Sequence, residues 1–235
     1  MLVRLEAVTK AARSHALSAT TLQFETGAVT FAFAETEQRP TVLGLLAAGR
    51  MVPDGGGVLI DGHDDPRAVR RRVALVDAPD VSAPEPNVRV TDVVAEELMF
   101  AGKRSGRAAA RRWLQENDMD DAAHRPFGNL KPGERLRLLC ELAAARAGVE
   151  GLVVVSPDRH GGDPHLWWRL ADEFAQRGLA VLTIAGEASR MVLGIEAVDD
   201  SVRVPSEDSD SDDRDGDDRD GDDRADDVSS AEAPA

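Results

Sequence analysis

The sequence predicts an α/β protein: a mostly parallel sheet with an antiparallel edge and helices on both faces. Three observations carry this. The runs 73–76, 152–155 and 180–184 are short and continuously apolar, as strands covered on both sides are. Segments with helical spacing of apolar residues, 135–146 and 166–177, alternate with the last two of them. The first thirty-odd residues instead alternate with a period of two, the mark of half-buried antiparallel strands.

In chain order, 2–8 reads as a strand, followed by 20–24 and 29–33 with Glu25-Thr26-Gly27 as the turn between them, a meander-like pair. The compact run 41–48 fits a buried helix, and Pro40 suits its first turn, where a missing N–H costs nothing. Pro53 to Gly57 is a turn, 58–60 a short strand ending at Asp61-Gly62, and 66–72 a helical turn leading into 73–76. Three prolines make 78–87 irregular. Helices are expected at 91–100 and 106–116, and after Gly133 at 135–146, with Leu136, Leu139, Leu142 and Ala143 on one face. The segment 198–204 closes the body.

The chain has 235 residues, a formal net charge of −15 and one cysteine. A single Cys140 excludes a disulfide framework and a cysteine zinc cage, and it reads as a small buried hydrophobe. Net acidity argues against nucleic-acid binding, which runs on phosphate neutralisation. No apolar run approaches the roughly 20 residues of a membrane span, and the first residues lack a signal-peptide pattern. A cytoplasmic protein is expected. The charge is uneven: residues 206–235 hold fourteen acids and three arginines, leaving 1–205 at a net −4. With one Val and no aromatic residue, 206–235 cannot offset its ordering entropy and is expected to be a disordered acidic tail behind a body of 1–205.

The order of these elements resembles the ATP-binding subunit of ABC transporters, over residues 2–204. The residues that carry the likeness are mostly framework ones. The run 41–49 is similar to the helix after the phosphate loop. Pro53-Asp54-Gly55-Gly56-Gly57-Val58-Leu59-Ile60-Asp61-Gly62 resembles the family's P-D-S-G-x-V-x-x-D-G stretch. The segment 88–94 is similar to the opening of the helical subdomain, expected at about 84–128. Leu130-Lys131-Pro132-Gly133-Glu134 stands where the signature L-S-G-G-Q belongs, and Gly161-Gly162-Asp163-Pro164 where the D-loop belongs. The resemblance implies a P-loop NTPase-like cassette.

Chemistry in that family needs G-x-x-x-x-G-K-[ST], whose glycines let backbone N–H groups surround phosphate oxygens. Here Glu35-Thr36-Glu37-Gln38-Arg39-Pro40-Thr41 stands in its place, with arginine at the lysine position and two carboxylates within the loop. Glu35 or Glu37 is expected to supply an anion from within at a helix N-terminus, although a plain polar turn would equally lack a phosphate nest. Ala11-Ala12-Arg13 offers no aromatic to stack on adenine. Asp77 replaces the family's Gln, Ser156-Pro157 its Asp-Glu, and Ala185-Gly186-Glu187 the segment of its switch His; Lys131-Pro132 replaces Ser-Gly in the signature. Gly133 and Asp163 remain.

These substitutions imply no catalytic residue, no metal site and no cofactor. The expected role is a non-hydrolysing accessory or regulatory component, peripheral at the inner face of the membrane. Its implied partners are an integral membrane transporter-type protein, an intact ABC ATPase subunit, or both, as a homo- or heterodimer. The alternative is a functional ATP-binding subunit using ATP and Mg²⁺, hydrolysing within a heterodimer. His160 and His165 flank Asp163 without the spacing of a metal cage. Trp167 and Trp168, about 100° apart on a helix, cannot both enter one core face.

Overall fold

The structure, a computed structural model, describes residues 1–10, 16–35 and 39–195. The expectations for 198–204 and for the acidic tail lie outside the described residues. In chain order the elements are β1 (Leu2–Lys10), β2 (Leu17–Glu25), β3 (Val29–Phe33), α1 (Arg39–Ala47), β4 (Gly55–Ile60), α2 (Pro66–Arg72) and β5 (Val73–Val76). There follow α3 (Val90–Phe100), α4 (Arg107–Glu116), α5 (Pro132–Ala144), β6 (Gly151–Val155), α6 (Pro164–Gln176), β7 (Ala180–Ala185) and α7 (Glu187–Leu193).

Two sheets result. One is antiparallel in the order β2-β1-β4, and the other is parallel in the order β3-β7-β6-β5. The α/β class with an antiparallel edge is therefore observed. One detail differs from the sequence reading: β2 and β3 do not form a hairpin. β2 pairs with β1, whereas β3 runs parallel to β7, Val29 opposite Val181. The turn hands the chain from one sheet to the other, because the Gly27 N–H donates to the Leu179 carbonyl (3.0 Å) and Thr26 bridges Ala180. Gly27 takes a left-handed φ of +86° there.

The parallel strands divide two cores by their alternation. Ala74, Val76, Leu152 and Val154 face the core that includes α5 and α6, while Val73, Leu75, Val153 and Val155 face α1. Gly44 explains how α1 lies so close: a Cβ there would stand 2.6 Å from Val155 Cγ2. Helix α5 starts at Pro132, earlier than expected, because proline suits a first turn and the Glu134 carboxylate accepts the Lys131 N–H (3.2 Å). Trp167 is buried, and Trp168 packs edge-on to it and against Phe31. Cys140 is buried, and burial pushes its thiol far above the ordinary range. Among the described residues no helix is long and apolar enough to cross a membrane.

Two positions test this packing. Gly56 (φ +72°) lies against a bulge in β1, where a Cβ would come within 2.2 Å of the Glu6 carbonyl oxygen. Gly56→Ala should cost at least about 2 kcal/mol in denaturant unfolding. Thr183 Oγ1 on β7 is buried without a hydrogen bond, beside a small apolar void that Trp167 also lines. Thr183→Val should stabilise the protein by about 1 kcal/mol in the same measurement, since it removes an unsatisfied hydroxyl at nearly constant shape.

Candidate functional site

In an open α/β sheet, ligands bind beyond the carboxyl ends of the parallel strands, and here those ends carry the polar residues. Asp77 directly follows β5 and Ser156 directly follows β6, both with left-handed backbones (φ 56° and 47°) that turn the chain sharply out of the sheet. Non-glycine residues seldom accept that conformation, and it concentrates at functional positions.

Asp77 is 1% exposed and is the centre of an ionic cluster. Its Oδ1 accepts from Arg135 Nη2 (2.9 Å) and pairs with Arg159 Nη2 (3.0 Å). Its Oδ2 accepts from Arg135 Nε (3.4 Å) and lies 2.8 Å from His160 Nε2. Burial alone would push the carboxyl pKa up, but the His160 and Arg135 hydrogen bonds and the two guanidinium charges hold it below the usual carboxylate range. Arg159 also donates to the carbonyls of Asp77 and Val155, so one guanidinium caps the ends of two adjacent strands. Burial draws the Arg159 pKa down despite the carboxylate beside it. The Arg135 guanidinium lies 4.4 Å from the centre of the Phe127 ring, which shields it from water.

Around this cluster, helix N-termini are met by carboxylates of the chain itself. Glu134 answers α5 and also holds Arg125 (3.3 Å). Asp163 caps α6, accepting the His165 N–H (2.9 Å). At α7, Asp158 Oδ2 accepts the Gly186 N–H (2.9 Å) and Glu35 Oε1 the Glu187 N–H (2.6 Å). Each contact places negative charge on the positive end of a helix dipole.

The residues singled out from the sequence fall as follows. Glu35 follows β3, and its carboxylate accepts the N–H of the first residue of α7. Thr36, Glu37 and Gln38 lie outside the described residues. Arg39 is buried in the first turn of α1, with Pro40 and Thr41 after it. Pro132, Gly133, Gly162, Asp163 and His160 line one cleft with Asp77 at its floor, so the signature-like and D-loop-like turns do come together. Leu130 and Lys131 lead into α5. Sequence reasoning named Asp77 and His160 separately and missed their union with Arg135 and Arg159. The available signal was an acid directly after an all-apolar strand. Among the described residues, no group of three or more His, Cys, Asp or Glu side chains is arranged to hold a metal ion.

Replacing Asp77 tests the cluster. Asp77→Asn should cost about 3–5 kcal/mol, because two arginines lose their counter-charge in a dry site. The wild-type contribution is complete above the unfolded-state pKa of about 4 and is lost as pH falls through the lower folded value. The variant should therefore lose less stability than wild type between neutral and strongly acidic pH, measured by denaturant unfolding across that range.

No family model matches the sequence, and no curated protein matches it. Solved structures do resemble it. A putative ABC transporter ATP-binding protein from Pyrococcus furiosus is 14% identical, covers 80% of this chain and 92% of its own, and has a TM-score of 0.56. An ATP-binding cassette of an ABC transporter is 18% identical over 79% of this chain and 81% of its own, with a TM-score of 0.58. A Clostridium perfringens protein described as part of an ABC transporter complex is 15% identical over 78% and 77%, with a TM-score of 0.55. The chain thus has the fold of an ABC transporter ATP-binding cassette.

Proposed function

We propose that this chain is a cassette-fold protein that does not hydrolyse ATP and serves as an accessory or regulatory subunit of a membrane transport complex. The observation that carries the reading is the saturated carboxylate of Asp77. A carboxylate offers about four acceptor directions, and those of Asp77 are taken by two nitrogens of Arg135, by Arg159 and by His160. It has nothing left to offer a magnesium ion. Ser156 and Pro157, at the end of β6, bring neither a carboxylate ligand nor a general base.

Magnesium triphosphate does not fit these residues. Its negative charge would meet Glu35, Asp158 and Asp163, which already occupy helix N-termini. Losing the metal ligand and the base each removes orders of magnitude from phosphoryl transfer. The fold supports a place beside a transporter, since the Clostridium perfringens protein is part of such a complex. An integral membrane protein, an intact cassette subunit or both are the partners, and the surface formed by about 84–128 is the docking face. On this reading the protein is cytoplasmic and sits at the inner face of the membrane.

The second reading is an ATP-binding subunit that hydrolyses within a heterodimer. Gly133 and Asp163 favour it, since they stand at the signature-like and D-loop-like positions and line one cleft. Calorimetry with Mg-ATP separates the two. Dissociation constants weaker than about 1 mM and no phosphate release are expected. Micromolar binding, or turnover abolished by Arg39→Ala, would establish the second reading instead.

A further inference from the structure

The chain carries a strong acidic excess, yet one stretch runs the other way. Between Leu98 and Gln115 there are five cations, Lys103, Arg104, Arg107, Arg111 and Arg112, and no acid. Only the Arg107 side chain reaches a carboxylate among the described residues, Asp92 at 3.6 Å, while the side chains of Lys103, Arg104, Arg111 and Arg112 make no hydrogen bond or ion pair there. By contrast Arg72, Arg125, Arg137 and Arg177 each hold a carboxylate elsewhere on the surface. Five cations within eighteen residues that hold no acid make a positive patch, on a body of near-balanced charge, to which an anion from outside is the complement.

The same stretch exposes apolar side chains. Phe100 is 64% exposed and Met99 56%, at the end of α3 and directly before Lys103-Arg104. From 99 to 108 every residue but Ala101 is exposed. On α4, Ala110 and Leu114 turn inward, which leaves Arg107 and Arg111, one turn apart, and Arg112 on the outer face.

We propose that this turn and the outer face of α4 rest on an anionic lipid bilayer. Lipid phosphates lie against the five cations, and Phe100 and Met99 enter the boundary between headgroups and acyl chains. A bilayer is the one extended partner that sets anionic phosphate directly over an apolar layer, which is the order of chemistry that 99–112 displays. Repulsion from the acids elsewhere is screened beyond a Debye length of about 8–10 Å at physiological salt. The inference assigns 99–112 within the proposed docking face to lipid and leaves the rest of that face to a protein partner; it does not depend on whether the cassette binds nucleotide, and its failure would leave that question untouched.

Co-sedimentation of the full chain tests it, with vesicles of phosphatidylcholine alone and with roughly one third phosphatidylglycerol. Binding is expected to the anionic vesicles only and to fall with added salt. Each cation near a charged membrane surface is worth about fivefold in binding, so R104E/R111E should weaken binding by at least about 25-fold. Phe100→Ser should weaken it further at high salt, where the apolar contribution remains. Unchanged thermal unfolding of these surface variants confirms that they fold. Equal partition to neutral and anionic vesicles, or wild-type binding by R104E/R111E, overturns the proposal. So does capture of an acidic protein through these cations with no affinity for anionic vesicles.

Discussion

The buried pair between Asp77 and Arg135 is the constraint on which the rest of the site turns. A carboxylate 1% exposed to water at the end of β5 is tolerable only if donors surround it. Arg135 comes from the first turns of α5 and Arg159 from the residues after β6. Satisfying one acid therefore fixes the start of a helix, the exit of a strand and the two left-handed backbones that bring them together. Removing the acid would leave two guanidinium groups facing each other.

Helix N-termini converge on the carboxyl edge of a parallel sheet, and each carries partial positive charge. A bound anion can neutralise it. In this chain Glu134, Asp163, Asp158 and Glu35 do so from within. The internal anions make the edge self-sufficient, and they crowd the positions from which backbone N–H groups would otherwise reach a ligand. The fold and the site are thus argued from different evidence. The solved structures it resembles establish the architecture alone at 14–18% identity, while the side chains carry the functional reading.

Much of the architecture was legible in the sequence because the parallel strands are unusual: Val73–Val76 and Gly151–Val155 have no polar residue to suggest a solvated face. The exchange of sheets between β2 and β3 was not legible, since Glu25-Thr26-Gly27 suits a hairpin equally well. What decides it is a hydrogen bond from Gly27 to Leu179, remote in the chain. The ionic cluster was hidden for the same reason, as Asp77 lies 58 residues from Arg135 and 83 from His160. Local pattern reports which face is buried and is silent on which distant charge will be waiting there. The likeness in 53–62 was visible because turns and bulges constrain residue type locally, as Gly56 against the Glu6 carbonyl demonstrates.

Guanidinium groups keep their charge at any pH a cell reaches. The knot tied by Arg135 and Arg159 therefore cannot be loosened by removing their protons. Short of acid strong enough to protonate Asp77, prying it open takes a rival: another acid, or a phosphate group, able to enter the dry interior and claim the arginines for itself. Whatever remodels this protein has to arrive as a competitor for those two side chains.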